Sequence, residues 1–147
     1  DFSDDNYTLI GIHSTLEEYK LAYLLNQKLN TKFVLADYSL DFQNKNNNAV
    51  FSIYEFINSK FSQSWFLISN KYSNSLDEIS TGLFQSNEIT TYLIPEKMKV
   101  DFFLKLEGDF NYDYITKKIE EINSINQVIT SYTIDPNTLK SKDFLIF

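Results

Sequence analysis

Ile94-Pro95-Glu96-Lys97-Met98-Lys99-Val100-Asp101-Phe102-Phe103-Leu104-Lys105-Leu106-Glu107-Gly108 is the stretch whose reading decides the fold of this 147-residue chain. From Met98 onward the residues alternate. Met98, Val100, Phe102, Leu104 and Leu106 fall on one side; Lys99, Asp101, Phe103, Lys105 and Glu107 fall on the other. That is the period of a strand with one buried face. Pro95 cannot donate to a ladder, and it biases Ile94 towards an extended conformation. The stretch therefore predicts an extended end at 94–96, a turn at Glu96-Lys97, a long strand over 98–107 and a stop at Gly108. The second face is polar around one aromatic, Phe103. As structure, it reads as a solvated sheet face with ion pairs. As function, it reads as a binding face centred on Glu96 and Asp101.

Upstream, 7–13 is apolar and reads as a first strand. Ser14-Thr15-Leu16-Glu17 has the form of a capping box, so a helix is expected over 15–30, with Glu17 and Glu18 on its wet side. Extended runs follow at 33–42 and 49–57. Between them Gln43-Asn44-Lys45-Asn46-Asn47-Asn48 holds no apolar residue and reads as a hairpin tip. The run Trp65-Phe66-Leu67-Ile68 within 62–72 suggests a strand buried on both faces, or one covered by the helix. The polar stretch 73–89 is a candidate boundary between two halves of one 1–147 domain, and 90–94 is a short strand. Downstream, Tyr112, Ile115, Ile119 and Ile122 put one apolar stripe on a second helix over 112–123, capped by Asn111. Residues 127–134 form a β-branched strand, Asp135-Pro136-Asn137 a turn, and 144–147 a last apolar segment tied into the fold. The expected class is α+β: a largely antiparallel sheet with two helices on one face, its second half a ferredoxin-like β-α-β.

The Ile94-Pro95-Glu96 triplet, the three-residue gap and Val100-Asp101 resemble the signature of the IPExxxVDY family, small proteins of Bacteroidota. Phe102 stands where that family carries Tyr. The segments Leu9-Ile10-Gly11-Ile12-His13-Ser14 and Glu18-Tyr19-Lys20-Leu21-Ala22-Tyr23-Leu24-Leu25 are similar to the family's amino-terminal pattern. The resemblance thus runs over most of the chain. It implies a bacterial source and no particular activity.

Composition narrows the chemistry. The formal net charge is −7, and every basic residue is Lys. An acidic chain without Arg lacks the planar fork that reads phosphates and base edges, so direct nucleic-acid binding is not expected. There is no Cys, hence no thiolate metal site and no cysteine nucleophile. With one histidine, only an all-oxygen metal site remains, and the acids are scattered. The three glycines are isolated and build no phosphate loop; Gly11, inside a strand, marks a close packing neighbour. No apolar run reaches the length of a membrane span. The expected location is cytoplasmic.

No catalytic constellation, metal or cofactor is expected. His13 sits at a strand end beside a helix start, a place where functional side chains occur. Adjacent Ser14 points the opposite way and cannot pair with it. The first functional reading is a non-enzymatic binding or assembly protein. It would act through the strand 94–107, with a protein partner or a second copy of itself as ligand. Its binding residues would be Glu96, Asp101, Phe103 and His13. The alternative is a small enzyme or ligand sensor in which Glu96, Asp101 and His13 converge on one pocket.

Overall fold

In the computed structural model, which describes residues 7–44, 47–75 and 88–147, strand β7 (Phe102–Glu107) lies near the middle of a six-stranded sheet. The sheet order is β2-β3-β4-β7-β1-β8, every neighbouring pair antiparallel. β1 is Tyr7–Ser14, β2 Val34–Asn44, β3 Asn47–Asn58, β4 Gln63–Ser69 and β8 Val128–Ile134. A separate ribbon pairs β5 (Lys71–Ser75) with β6 (Glu88–Tyr92). The helices are α1 (Glu18–Leu29) and α2 (Tyr112–Asn123). The acidic start at 1–6, residues 45–46 of the polar tip, and 76–87 of the boundary stretch lie outside the described residues.

The α+β class, the antiparallel sheet and the placing of both helices on one face are as expected. Leu21, Leu25 and Leu29 of α1 and Ile115 and Ile122 of α2 join Ile10, Ile12, Trp65, Leu67, Phe102, Leu104 and Leu106 in one core. The second helix has the expected bounds, and the Asn111 side chain accepts from Tyr114 N at 2.7 Å, as an N-cap should. α1 starts later than its sequence suggests. Ser14 remains in the strand, Glu17 occupies the cap position, and no side chain caps it. The reason is competition: Ser14 N–H donates to Asp101 Oδ2 at 2.9 Å, and its hydroxyl donates to Gln127 O while accepting from Leu16 N. Hairpin β2–β3 pairs as far as Asn44 with Asn47, so the tip is shorter than six residues.

The largest departure concerns 98–107. Residues 95–97 form a 3₁₀ turn with Pro95 at its start, closed by Lys97 N to Ile94 O, and Val100 N then returns to Lys97 O. The strand begins only at Phe102. Nor is its second face solvated. Phe103 is fully buried, and Lys105 is only 3 % exposed. They lie in a second core with Leu9, Phe51, Ile53, Phe66 and Ile68, covered by Leu139, Leu145 and Phe147 of the carboxyl-terminal segment. That segment is tied in, as expected, but as 3₁₀ turns rather than a strand. The buried Lys105 side chain is fully engaged: Leu145 O and Glu107 accept from it, and the Tyr7 and Phe147 rings each lie 4.7 Å away. Gly11 is the close neighbour its sequence position suggests: a Cβ there would meet Ile134 Cδ1 at 2.7 Å. At the strand's end, Gly108 has φ +134° and packs against Ser62 and Gln63, which only glycine does without strain.

One buried residue ties the 94–101 turn to the sheet. Asn70, between β4 and β5, is 0 % exposed. Its N–H donates to Asp101 O and its carbonyl accepts from Leu93 N. Its side chain accepts from Ile94 N at 2.8 Å and donates to Lys97 O and Val100 O at 2.9 Å each. Asn70→Ala orphans one buried donor and removes the side-chain partner of two carbonyls. At about 1–3 kcal/mol per unpaired group, unfolding free energy is expected to fall by about 3 kcal/mol or more in urea melts. A loss under about 0.5 kcal/mol, the range of a neutral surface change, would refute that role.

Candidate functional site

Within 94–101, Ile94, Val100 and Asp101 face inward, whereas Pro95 and Glu96 are exposed. Ile94 and Val100 are buried at 0 % and 2 %. Asp101 is half-buried, with its N–H on Ile12 O and its two carboxylate oxygens on Ser14 N and Lys71 Nζ. The salt bridge to Lys71 measures 2.8 Å, and the hydrogen bond to Asp101 holds the Lys71 ammonium above its ordinary pKa. Glu96 is exposed but engaged: Oε2 accepts from Ser141 N at 2.8 Å and Oε1 from Ser141 Oγ at 2.9 Å. Burial pushes its carboxyl up, but the hydrogen bonds from Ser141 and from the Glu96 and Lys140 backbones outweigh that and leave it lowered.

The positions between them face outward. Lys97, Met98 and Lys99 join His13, Pro95, Glu96, Val100 and Tyr132 around an open cavity of about 420 Å³. Met98 is 54 % exposed. His13 Nε2 lies 2.7 Å from the Tyr132 hydroxyl, and the rings stand 5.4 Å apart. Two strands set this pair. In the β1–β8 register His13 opposes Thr130 and Gly11 opposes Tyr132, so both side chains rise from one face of the sheet.

Of the four residues singled out from sequence, His13 and Glu96 share this cavity. Asp101 does not line it; its carboxylate is held by β1 and Lys71. Phe103 lies inside the second core and offers no surface, because the carboxyl-terminal segment covers the face that alternation left open. Tyr132, Lys97, Met98 and Lys99 were not assigned to this site from sequence. Their signal was the polar turn over 95–99, together with a register that appears only once β8 is paired. Among the described residues no group of His, Asp and Glu could hold a metal ion, and no helix is long and apolar enough to cross a membrane. Neither a scan of protein-family models nor a search of curated proteins returns a match to this chain.

A second cavity, about 340 Å³, lies at the start of α1, lined by Glu17, Glu18, Ser52, Ser69, Lys71 and Tyr72 among others. Sequence placed Glu18 in water. Instead its carboxyl is half-buried and Oε2 has no partner. Burial pushes Glu18 up to about 8, opposed by a hydrogen bond from the Ser69 backbone.

The sign of the linkage follows. The folded chain holds the Glu18 proton more tightly than the unfolded one, so this group costs stability as pH rises from the ordinary carboxyl value of 4.5 to about 8. The cost levels off above that, at a few kcal/mol by order of magnitude. Glu18→Gln is expected to raise the melting temperature at pH 9 and leave it nearly unchanged at pH 4. Equal shifts at both pH values would contradict the assignment.

Proposed function

We propose that this chain is a non-enzymatic binding protein that meets its partner through the exposed turn 95–99 and the adjoining His13–Tyr132 pair. We also propose that it belongs with the IPExxxVDY proteins in a bacterial cytoplasm. The observation that carries the reading is the division of labour within the signature. Ile94, Val100 and Asp101 are consumed by folding, while Pro95, Glu96, Met98 and Lys99 are presented to solvent on a turn braced from beneath by Asn70. A surface held rigid by buried hydrogen bonds loses little entropy on binding.

Local charge favours an acidic partner, the opposite of what the net charge of −7 suggests. Lys97 and Lys99 form no ion pair among the described residues, and Glu96, the one acid on the cavity, is occupied by Ser141. Two ammonium groups, an imidazole and a phenol suit carboxylates on a protein segment, with Met98 as an adaptable apolar contact. Asp101 stands apart from the His13–Glu96 pair, so the enzyme reading loses one of its three groups.

The test is affinity capture from the native host's lysate, identified by mass spectrometry. The bait is compared with Lys97→Glu/Lys99→Glu and with Glu96→Gln/Asp101→Asn. The first variant is expected to keep the native melting temperature and lose the partner. The second is expected to melt lower. Identical partners with the native bait and a folded Lys97→Glu/Lys99→Glu protein would overturn the proposal.

A further inference from the structure

A third cavity, of about 560 Å³, lies between α2 and the β8 end of the main sheet. Small-molecule sites run from about 300 to 1,000 Å³. The sheet lines it with Thr8 and Thr133. Thr8 alternates in step with Ile10 and Ile12 of the helix-facing core, and Ile10 opposes Thr133. The cavity is therefore on the helix-bearing face, while His13, next after Ile12, points to the other. α2 lines it with Tyr112, Ile115, Thr116, Ile119 and Glu120, whose spacing puts them on one side of the helix.

The lining is part apolar and part hydrogen-bonding. Phe110, Ile115 and Ile119 supply the apolar wall. The hydroxyls of Thr8, Thr116 and Thr133 and the carboxylate of Glu120 make no hydrogen bond or ion pair with another described residue. Other hydroxyls of the fold are occupied: Ser131 donates to Asn123, Ser14 to Gln127 O and Thr138 to Asp135 O. Tyr112 is 81 % exposed and meets no other ring among the described residues.

We propose that this cavity binds a neutral sugar, with the Tyr112 ring against the C–H face of the pyranose and Thr8, Thr116, Thr133 and Glu120 on its hydroxyls. The lining selects that class. No lysine lines the cavity, and Glu120 with a net charge of −7 disfavours phosphates and carboxylates. An ammonium ion finds a single carboxylate, exposed to water and screened by salt, and leaves three hydroxyls unused. A wholly apolar ligand takes those hydroxyls out of water without partners. A sugar hydroxyl donates and accepts, as a threonine hydroxyl does, and a carboxylate accepts from it. The negative face of an aromatic ring attracts the C–H bonds on the sugar's other side. Threonine is also stiff at its one side-chain torsion, so little freedom is lost on binding. The inference stands apart from the partner reading. Tyr132 alone lines both cavities, and no variant below touches it.

The test is a titration of the native chain, followed by backbone amide shifts, with glucose, galactose, maltose and lactose. Propylammonium chloride and sodium phosphate serve as charged probes. At least one sugar is expected to give saturating shifts at Thr8, Thr116, Glu120 and Thr133 with a Kd in the millimolar range, and neither salt is expected to. Tyr112→Phe keeps the ring face and is expected to keep the affinity, whereas Tyr112→Leu is expected to weaken it about fivefold. Thr8→Val/Thr133→Val keeps the shape, removes two hydroxyls and is expected to weaken binding about tenfold. No saturating shift with any of the four sugars would overturn the proposal, as would shifts mapping elsewhere or saturation of the same amides by either salt. Affinities unchanged by Tyr112→Leu would overturn it too. Should the threonine variant fail to fold, the exposed Tyr112 pair and the native titration still decide.

Discussion

The Asn70 carboxamide satisfies the backbone of a turn more than twenty residues downstream, at a site closed to water. Much else depends on it. The chain leaves β4 at Asn70, and the same residue's backbone joins Leu93 and Asp101. One side chain thus fixes where the peripheral ribbon departs, where the 94–101 turn sits, and where β7 enters the sheet. A buried amide is expensive unless every donor and acceptor is met. Here each is met, and the cost becomes a constraint on register.

From that anchor the two cores follow. β7 sits between β4 and β1, with Phe102, Leu104 and Leu106 towards the helices and Phe103 and Lys105 towards the carboxyl-terminal segment. Lys105 is held there by a carbonyl, a carboxylate and two aromatic faces, so the far end of the chain is recruited to cover the middle of the sheet. Glu96 adds a second attachment through Ser141. The carboxyl-terminal segment is therefore clamped twice, to the 94–101 turn through Glu96 and to β7 through Lys105.

Much of the fold was legible because it is written in short-range pattern. The period of α2, its Asn111 cap, the hairpin β2–β3 and the double burial of 65–68 all depend on neighbours in sequence. What was not legible depends on partners far along the chain. Alternation over 98–107 looks continuous, but Asn70 draws the Lys97 and Val100 carbonyls inward and bends the first four residues out of the strand. Ser14 reads as a helix cap until Asp101, from the other end of the chain, claims its N–H. Phe103 and Glu18 read as exposed because nothing local announces what covers them. For the candidate site, His13 and Glu96 could be named from sequence. Tyr132 could not be placed beside them, since its position depends on the β1–β8 register.

The central claim is that the 94–101 turn is braced by a closed hydrogen-bond network and carries its exposed residues as a rigid platform. Native-state amide hydrogen exchange tests it most directly, read at Ile94 and Leu93, which donate to Asn70, and at Asp101, which donates to Ile12. These three amides are expected to exchange only through global unfolding, with the same free energy as the central strand amides of Leu104 and Leu106. Exchange through local opening, orders of magnitude faster than the central strand, would show that the turn is loosely attached and would contradict the account.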